Sequence, residues 1–127
     1  MLDRFRSGSF AIIADVEKAF LQVFLHEKDR DVTRIIWLKD LQKPATKENF
    51  VYFRYTRVLF GLNISPYLLA ATIRHHLKTH PKQKLAKEIF ANLYVDNLIL
   101  TSDEEISKLK ELYKDTKEVF TEMRMNL

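Results

Sequence analysis

The chain has 127 residues, and its 21 lysines and arginines exceed its 17 aspartates and glutamates, which gives a formal charge of +4 at pH 7. A hydrophobic share of 46% with 30% charged residues in a chain of this length predicts one folded domain and argues against a disordered chain. The absence of cysteine excludes disulfides, thiolate metal sites and cysteine nucleophiles, and no apolar run reaches the roughly 20 residues that a membrane-spanning helix needs.

The first half of the chain predicts three strands and a short helix. Residues 10–14 form an unbroken apolar run, which predicts a strand buried on both faces with Asp15 at its end. Apolar residues at spacings of three and four predict a short helical stretch over residues 19–24. Two runs rich in β-branched and aromatic residues, 35–38 and 51–55, predict antiparallel strands joined by a polar loop.

A helix and a hairpin are predicted next. Ser65 is typical of a helix N-cap and a proline follows it, so a helix should begin here and end near Pro81. Two apolar segments, residues 89–95 and 98–101, are separated only by Asp96-Asn97. Because a two-residue connection between apolar segments is typical of a β-hairpin, we predict a tight hairpin with Asp96-Asn97 at its turn.

The last predicted element is a long helix. Ser102 and Glu105 have the spacing of a capping box, and apolar residues recur at helical spacing from Ile106 to Met123. The resulting order of strand, helix, strands, helix, hairpin and helix predicts an α+β fold, with helices packed on one face of a mainly antiparallel sheet.

Two acidic residues follow predicted strands. Asp15 and Asp96 each come after an apolar segment expected in the middle of the sheet, where an isolated charge is costly without a partner. If the two strands are neighbours, the carboxylates converge, and like charges at close range favour a shared proton or a divalent cation. Oxygen ligands favour magnesium. Two such ions roughly 4 Å apart would activate a 3′-hydroxyl and stabilise the leaving pyrophosphate of a nucleotide.

Both acids also have purely structural interpretations. Asp15 could cap a helix N-terminus, and Asp96-Asn97 could form a type I′ turn, in which both residue types tolerate positive φ. The residue pattern alone favours these structural interpretations over a metal site.

Three segments resemble the A, B and C motifs of reverse transcriptases, and they occur in that family's order. They are residues 14–22, 58–66 and 93–97. Two further stretches, residues 37–41 and 57–61, narrow the resemblance to the BEL/Pao type of long-terminal-repeat retrotransposon. Any one motif is weak evidence, but three in register make coincidence improbable.

The resemblance implies an RNA-directed DNA polymerase, with the palm and part of the fingers over residues 1–127. Its activity would be template-directed addition of deoxynucleotides with two Mg²⁺ ions, for which Mn²⁺ could substitute. Its partners would be an RNA or DNA template-primer, deoxynucleoside triphosphates and the remaining polymerase domains. We expect N-terminal fingers strands, thumb and RNase H domain to be absent from this polypeptide, and hence no processive synthesis by it alone. No membrane association is expected, and the location is expected to be intracellular.

The resemblance also implies the metal ligands. Asp15 and Asp96 would bind the ions, and the backbone carbonyl of Val16 would complete the coordination. Asn97 stands where the family has a second aspartate after Tyr-x-Asp. Because an amide supplies an oxygen but no negative charge, metal affinity and transition-state stabilisation should both be lower.

Five further residues would contact the substrates. Phe20, next to Ala19, would be the steric gate that excludes a 2′-hydroxyl from the incoming sugar. Phe60 and Gly61 would lie against the incoming nucleotide, and Tyr94 would lie near the primer end. Alternatives remain open from the residues themselves: Phe20 could be a core aromatic, Gly61 a turn glycine and Tyr94 an ordinary strand residue.

A second functional class is a retroelement relic without catalysis, which acts at most as a nucleic-acid-binding or interaction module. Asn97 is the feature that favours it. Reading the sequence that flanks this frame would distinguish the two classes.

The histidines and lysines around residue 80 could form a metal site or a nucleic-acid contact, but the residue pattern favours solvated side chains for both groups. Because His75, His76 and His80 lack the glutamate of a zinc-protease helix and any cysteine, we expect solvated histidines at a helix end. We expect the nearby lysines in a solvated connecting loop, with contact to a nucleic-acid backbone as the alternative. These lysines are Lys78, Lys82, Lys84 and Lys87.

Overall fold

The computed structural model describes residues 8–103 and 105–127, so residues 1–7 of the predicted domain lie outside it. The strands in this part of the chain are β1 (Phe10–Asp15), β2 (Arg34–Leu38), β3 (Phe50–Arg54), β4 (Leu93–Tyr94) and β5 (Asn97–Ser102). The α-helices are α1 (Ser65–Thr79), α2 (Gln83–Asn92) and α3 (Ile106–Glu122). Short 3-10 turns cover Ala19–Gln22, Glu27–Thr33 and Lys47–Asn49. None of the described helices is both long and apolar enough to cross a membrane.

The larger sheet is antiparallel and has the strand order β1-β5-β4. Ile12 of β1 lies opposite Leu100 of β5, and Ala14 lies opposite Leu98, so these four side chains share one face. Helix α3 packs against β1 and β5, and α2 packs against β5. The predicted α+β class is therefore confirmed, with a core between the helices and one face of this sheet.

The opposite face of the larger sheet is open in the described structure. Ile13 points to it and is 64% exposed. The prediction that this strand is buried on both faces is therefore wrong. An unbroken apolar run is ambiguous because it is compatible with a half-covered strand as well as with a fully buried one.

A second, two-stranded sheet confirms the predicted antiparallel pair in the first half of the chain. Strands β2 and β3 pair with Ile36 opposite Tyr52, and both side chains are exposed. Asp31, in the turn before β2, holds the base of this sheet, because its carboxylate accepts hydrogen bonds from Arg34 at 2.7 Å and from Arg54 at 2.9 Å.

The ion pairs of Asp31 predict a pH dependence. Hydrogen bonds from Arg54 and Arg34 lower the pKa of Asp31 below its ordinary value. A carboxyl with a lowered folded pKa stabilises the fold at pH values above its unfolded pKa, about 3.9, and loses this contribution as pH falls through the folded pKa. The stability difference between wild type and Asp31→Asn in urea unfolding should therefore be small and constant from about pH 7 to 5, and should shrink below about pH 4. A difference that grows in acid would contradict this assignment.

Helix α1 begins differently from the prediction. Ile64 occupies the N-cap and Ser65 is the first helical residue, so the predicted N-cap at Ser65 is wrong. The hydroxyl of Ser65 is buried and donates to the carbonyl oxygen of Leu59 instead, which ties the helix start to the preceding loop. The predicted end near Pro81 is confirmed, because His80 is the C-cap.

Helix α2 was predicted as loop and strand. Leu85, Ala86 and Ile89 are buried at helical spacing, and the helix continues to Asn92. Residues 89–92 are therefore not a strand, and β4 keeps only Leu93–Tyr94. The prediction of a solvated lysine loop is wrong for Lys78, which lies on α1, and for Lys84 and Lys87, which lie on α2. Short apolar runs do not separate helix from strand by themselves.

The last helix confirms the apolar stripe but not the capping box. Leu109, Val119 and Phe120 are buried and face the core. Ser102 belongs to β5, where it pairs with Phe10, and the helix N-cap is Glu105, whose side chain makes no capping bond within the described residues. Strand β5 extends to Ser102, one residue further than predicted, because Phe10 of β1 pairs with this residue.

Candidate active site

Strands β1 and β5 bring the two predicted metal-binding acids to the same end of the larger sheet. Asp15 lies opposite Asn97 in the register of these strands. One residue further, the backbone N–H of Val16 donates to the carbonyl oxygen of Asp96 at 2.9 Å. The condition for convergence of the two acids, that their strands are neighbours, is therefore met, and the backbones that carry Asp15 and Asp96 are in direct contact.

The hairpin turn lies one residue earlier than predicted. Tyr94 pairs with Asn97, so Val95 and Asp96 form the two-residue turn and Asn97 begins β5. Val95 has a φ of 57°, a conformation that costs a β-branched residue on the order of 1–3 kcal/mol. Asp96 is not among the residues with positive φ, so the type I′ alternative, which needs positive φ at both turn positions, is wrong.

Neither acid is deeply buried. Asp15 is exposed on edge strand β1, and Asp96 is half-buried. The expectation that burial forces these carboxylates to find a partner is therefore wrong, because β1 is not in the middle of the described sheet. Their proximity comes from strand pairing alone. The side-chain amide of Asn97 donates to Asp96 Oδ1 at 3.1 Å, which orients the Asp96 carboxylate.

The donor set at this end of the sheet fits a hard divalent cation. It contains two carboxylates, from Asp15 and Asp96, the amide oxygen of Asn97 and the backbone carbonyl of Val16. The Val16 carbonyl accepts the N–H of Ala19 at 3.2 Å, and its second lone pair is not used by that bond. Oxygen donors of this kind are the ligands that magnesium and manganese prefer in proteins.

The predicted gate residue contacts the predicted nucleotide-binding loop. Phe20 lies in the Ala19–Gln22 turn and is 6% exposed. Its ring packs edge-on against Phe60, with centroids 4.7 Å apart and planes at 84°. Phe60 itself is largely exposed. The structure therefore brings the first and second motifs together, and the core alternative for Phe20 is compatible with its burial.

Gly61 follows Phe60 with a φ of 84°. A Cβ on this residue would meet no atom of the described residues within 4 Å, so within the described structure the glycine is needed for its backbone conformation and not for space. Tyr94, the last of the predicted substrate contacts, is exposed at the end of β4.

Replacement of Gly61 should therefore measure backbone strain alone. We expect Gly61→Ala to lower the free energy of unfolding by about 1–2 kcal/mol, because an L-residue pays this cost at positive φ. Gly61→Asn should cost less, since asparagine tolerates this region better. Urea unfolding of both variants measures which one loses more free energy of unfolding. An equal loss in both would point to a steric cause instead of backbone strain.

Sequence reasoning missed a contact between the segment that follows the first motif and the residue that precedes the second. The Arg57 guanidinium lies over the Phe24 ring, 3.2 Å from its centroid. Backbone bonds join the same segments, because Leu25 N–H donates to Thr56 O and Val58 N–H donates to Val23 O, both at 2.9 Å. No sequence motif marks this pairing, since the two segments are far apart along the chain.

The end of the described chain also contacts the first motif. Glu17 N–H donates to the Asn126 carbonyl at 2.8 Å, and the Asn126 side chain donates to Glu17 Oε2 at 3.0 Å. This hydrogen bond, with the charge of Lys18, lowers the pKa of Glu17. The residues directly after Asp15 and Val16 are therefore held from two sides.

Comparison with known proteins identifies the family. A search of curated proteins found no match. A family model described as reverse transcriptase (RNA-dependent DNA polymerase) matches residues 2–127. The match covers nearly the whole chain, including all three motifs and both acids at the end of the larger sheet. The chain belongs to the reverse transcriptase (RNA-dependent DNA polymerase) family.

Proposed function

We propose that this chain is the palm, with part of the fingers, of a BEL/Pao-type reverse transcriptase, and that Asp15 and Asp96 hold the divalent ions for deoxynucleotide addition. Family membership supports a nucleic-acid template and nucleotide substrates. The observation that carries the proposal is the Val16–Asp96 backbone bond, which places both acids at one end of one sheet. The further polymerase domains would be the partners of this segment.

Asp15, Asp96 and the Val16 carbonyl would hold the ions, two Mg²⁺ in an active complex with Mn²⁺ as a substitute. The ions would activate the primer 3′-hydroxyl and stabilise the charge on the leaving pyrophosphate. The chain itself contributes by holding the two acids in place. Strand pairing fixes the backbones that carry Asp15 and Asp96, and the Asn97 amide orients the Asp96 carboxylate. Such preorganisation avoids rearrangement of the carboxylates when substrate binds.

Phe20 and Phe60 would select the sugar. An aromatic ring under the incoming nucleotide excludes a 2′-hydroxyl by volume, and the edge-on contact with Phe60 would keep the Phe20 ring in place. Ala19 and Gly61 would complete the nucleotide site. Tyr94, exposed beside the hairpin turn, would contact the primer end.

The substitution Asn97→Asp should have opposite effects on the melting temperature without and with metal. Without metal, the variant loses the hydrogen bond to Asp96 and gains a like charge beside it, so its melting temperature should fall. With Mg²⁺ or Mn²⁺, the added carboxylate should tighten binding by about tenfold and reverse this order. Calorimetric titration and thermal unfolding measure both effects. A metal affinity equal to that of wild type would contradict the assignment of this position to the metal site.

Single-nucleotide addition tests the function itself. With a DNA primer on an RNA template at low salt, we expect metal-dependent addition of one deoxynucleotide by Asn97→Asp above the wild-type level, and none by Asp96→Asn. Addition that survives Asp96→Asn would contradict the proposal. The second candidate, a nucleic-acid-binding module without catalysis, is favoured by Asn97 itself, and it predicts template-primer binding without addition in both wild type and Asn97→Asp.

A further inference from the structure

Two histidines and a glutamate meet on the side of the core where α1 and α3 end. His76 lies in the last turn of α1, His80 directly follows this helix, and Glu122 is the last residue of α3. Glu122 Oε2 lies 3.6 Å from His76 Nε2 and 3.3 Å from His80 Nε2. One ligand atom from each of the three residues lies within 4.8 Å of the other two. The chain therefore presents two nitrogens and one oxygen to a common point.

The burial of one of the two histidines is unusual for a residue at a helix end. His80 is only 5% exposed, so the prediction of solvated histidines holds for exposed His75 but is wrong for His80. The Nε2 atom of His76 is buried and has no hydrogen-bond partner among the described residues. A buried polar atom without a partner is costly, and in native proteins such an atom usually has a function or a bound group that satisfies it.

We propose that His76, His80 and Glu122 form a binding site for a zinc ion. Zinc takes imidazole nitrogen and carboxylate oxygen at about 2.0–2.2 Å with tetrahedral angles. Two ligand atoms of such a site lie about 3.4 Å apart, which agrees with the two distances from Glu122 Oε2. Glu122 is 56% exposed at its side chain, so water can reach the fourth position.

The proton of His80 has to move for zinc to bind. His80 Nδ1 accepts the backbone N–H of Lys82 at 3.2 Å, so the neutral ring carries its proton on Nε2, toward Glu122. Zinc at Nε2 requires the other tautomer, with the proton on Nδ1. The ring stays neutral, and the Lys82 N–H gives up this bond and turns to water. Zinc binding should therefore move the turn between α1 and α2.

This zinc site is independent of the acids at Asp15 and Asp96. Helix α1 has 15 residues, and His76 lies 11 residues after its first residue, about 16 Å along the helix axis from the predicted nucleotide-binding loop. Magnesium prefers all-oxygen ligands, whereas imidazole suits zinc. Zinc would join the end of α1 to the end of α3 and stabilise the packed core between them.

Thermal unfolding with zinc tests this proposal. At a zinc concentration about 100 times the dissociation constant, we expect the melting temperature of the wild-type chain to rise by about 5–10 °C. Glu122→Ala and His76→Ala should lose this rise. The matched controls are Glu118→Ala, one turn earlier on α3, and His75→Ala, next to the proposed ligand; both residues are exposed, and both variants should keep the rise.

Cobalt substitution supplies a second readout that does not depend on stability. Co²⁺ in place of zinc should give the strong visible absorption of a tetrahedral site in wild type and in Asp15→Asn/Asp96→Asn, but not in Glu122→Ala. No zinc response in wild type would overturn the proposal, as would loss of the response in His75→Ala to the same extent as in His76→Ala. If Asp15→Asn/Asp96→Asn abolishes the zinc response, zinc binds at the other acids and the proposal is wrong.

Discussion

Replacement of both Asp15 and Asp96 by asparagine should abolish the response of the chain to magnesium. We expect Mg²⁺ at saturation to raise the wild-type melting temperature by several degrees, since an ion that binds only the folded state stabilises it. The double variant should shift by less than about 1 °C under the same conditions. Asparagine keeps the shape of each side chain, so the change removes charge with little effect on packing.

The matched control removes two charges elsewhere. Glu27 and Asp29 are exposed acids in the turn before β2, and Glu27→Gln/Asp29→Asn should respond to Mg²⁺ as wild type does. The same loss of response in this control would show that magnesium acts through overall charge. An unchanged response in the Asp15/Asp96 variant would place the ion elsewhere.

The largest loss of stability is expected from Phe120→Ala. Phe120 is 0% exposed and belongs to α3, which packs against β1 and β5. Truncation of a buried phenylalanine costs about 3–5 kcal/mol, because apolar contacts are lost and a cavity remains. The total free energy of unfolding of a domain of this size is about 5–15 kcal/mol. Urea unfolding should therefore show a much lower midpoint.

Phe53→Ala is the matched control for this change. Phe53 lies on β3 and is 51% exposed, so its truncation should cost less than about 1 kcal/mol. If the two variants lost equal stability, the core would not lie between α3 and the larger sheet as the structure has it.

Local sequence patterns predicted the elements whose packing in the fold agrees with their residue composition and spacing. The β-branched runs near Ile36 and Tyr52 became paired strands, and the helical stripe with Leu109 and Phe120 became α3. The strands were predicted from their β-branched and aromatic composition, and the helix was predicted from the helical spacing of its apolar residues.

The errors arose where distant segments decide the structure. Ile89 lies in a short apolar run that fits either helix or strand, and it became helical because α1 and β5 cover one side of α2. Ser65 has the identity of an N-cap, but the Leu59 carbonyl takes its hydroxyl. Ile13 is exposed because no described element covers its face of the sheet.

The part of the candidate site that lies in recognisable sequence motifs was predictable from the sequence. Asp15 and Asp96 were predicted from strand ends and from the resemblance, and their proximity followed once β1 and β5 paired. The cluster around Glu122 was not predicted, because this residue is far from His76 and His80 along the chain and comes within 3.6 Å of them only in the folded structure.

The most direct measurement is paramagnetic line broadening of the backbone amide NMR signals by Mn²⁺ at low occupancy. We predict that the amides of Asp15, Val16, Asp96 and Asn97 broaden first, and that Asp15→Asn/Asp96→Asn removes this broadening. Equal broadening in wild type and in this variant, or broadening confined to other parts of the chain, would contradict the claim that these two acids hold the metal together.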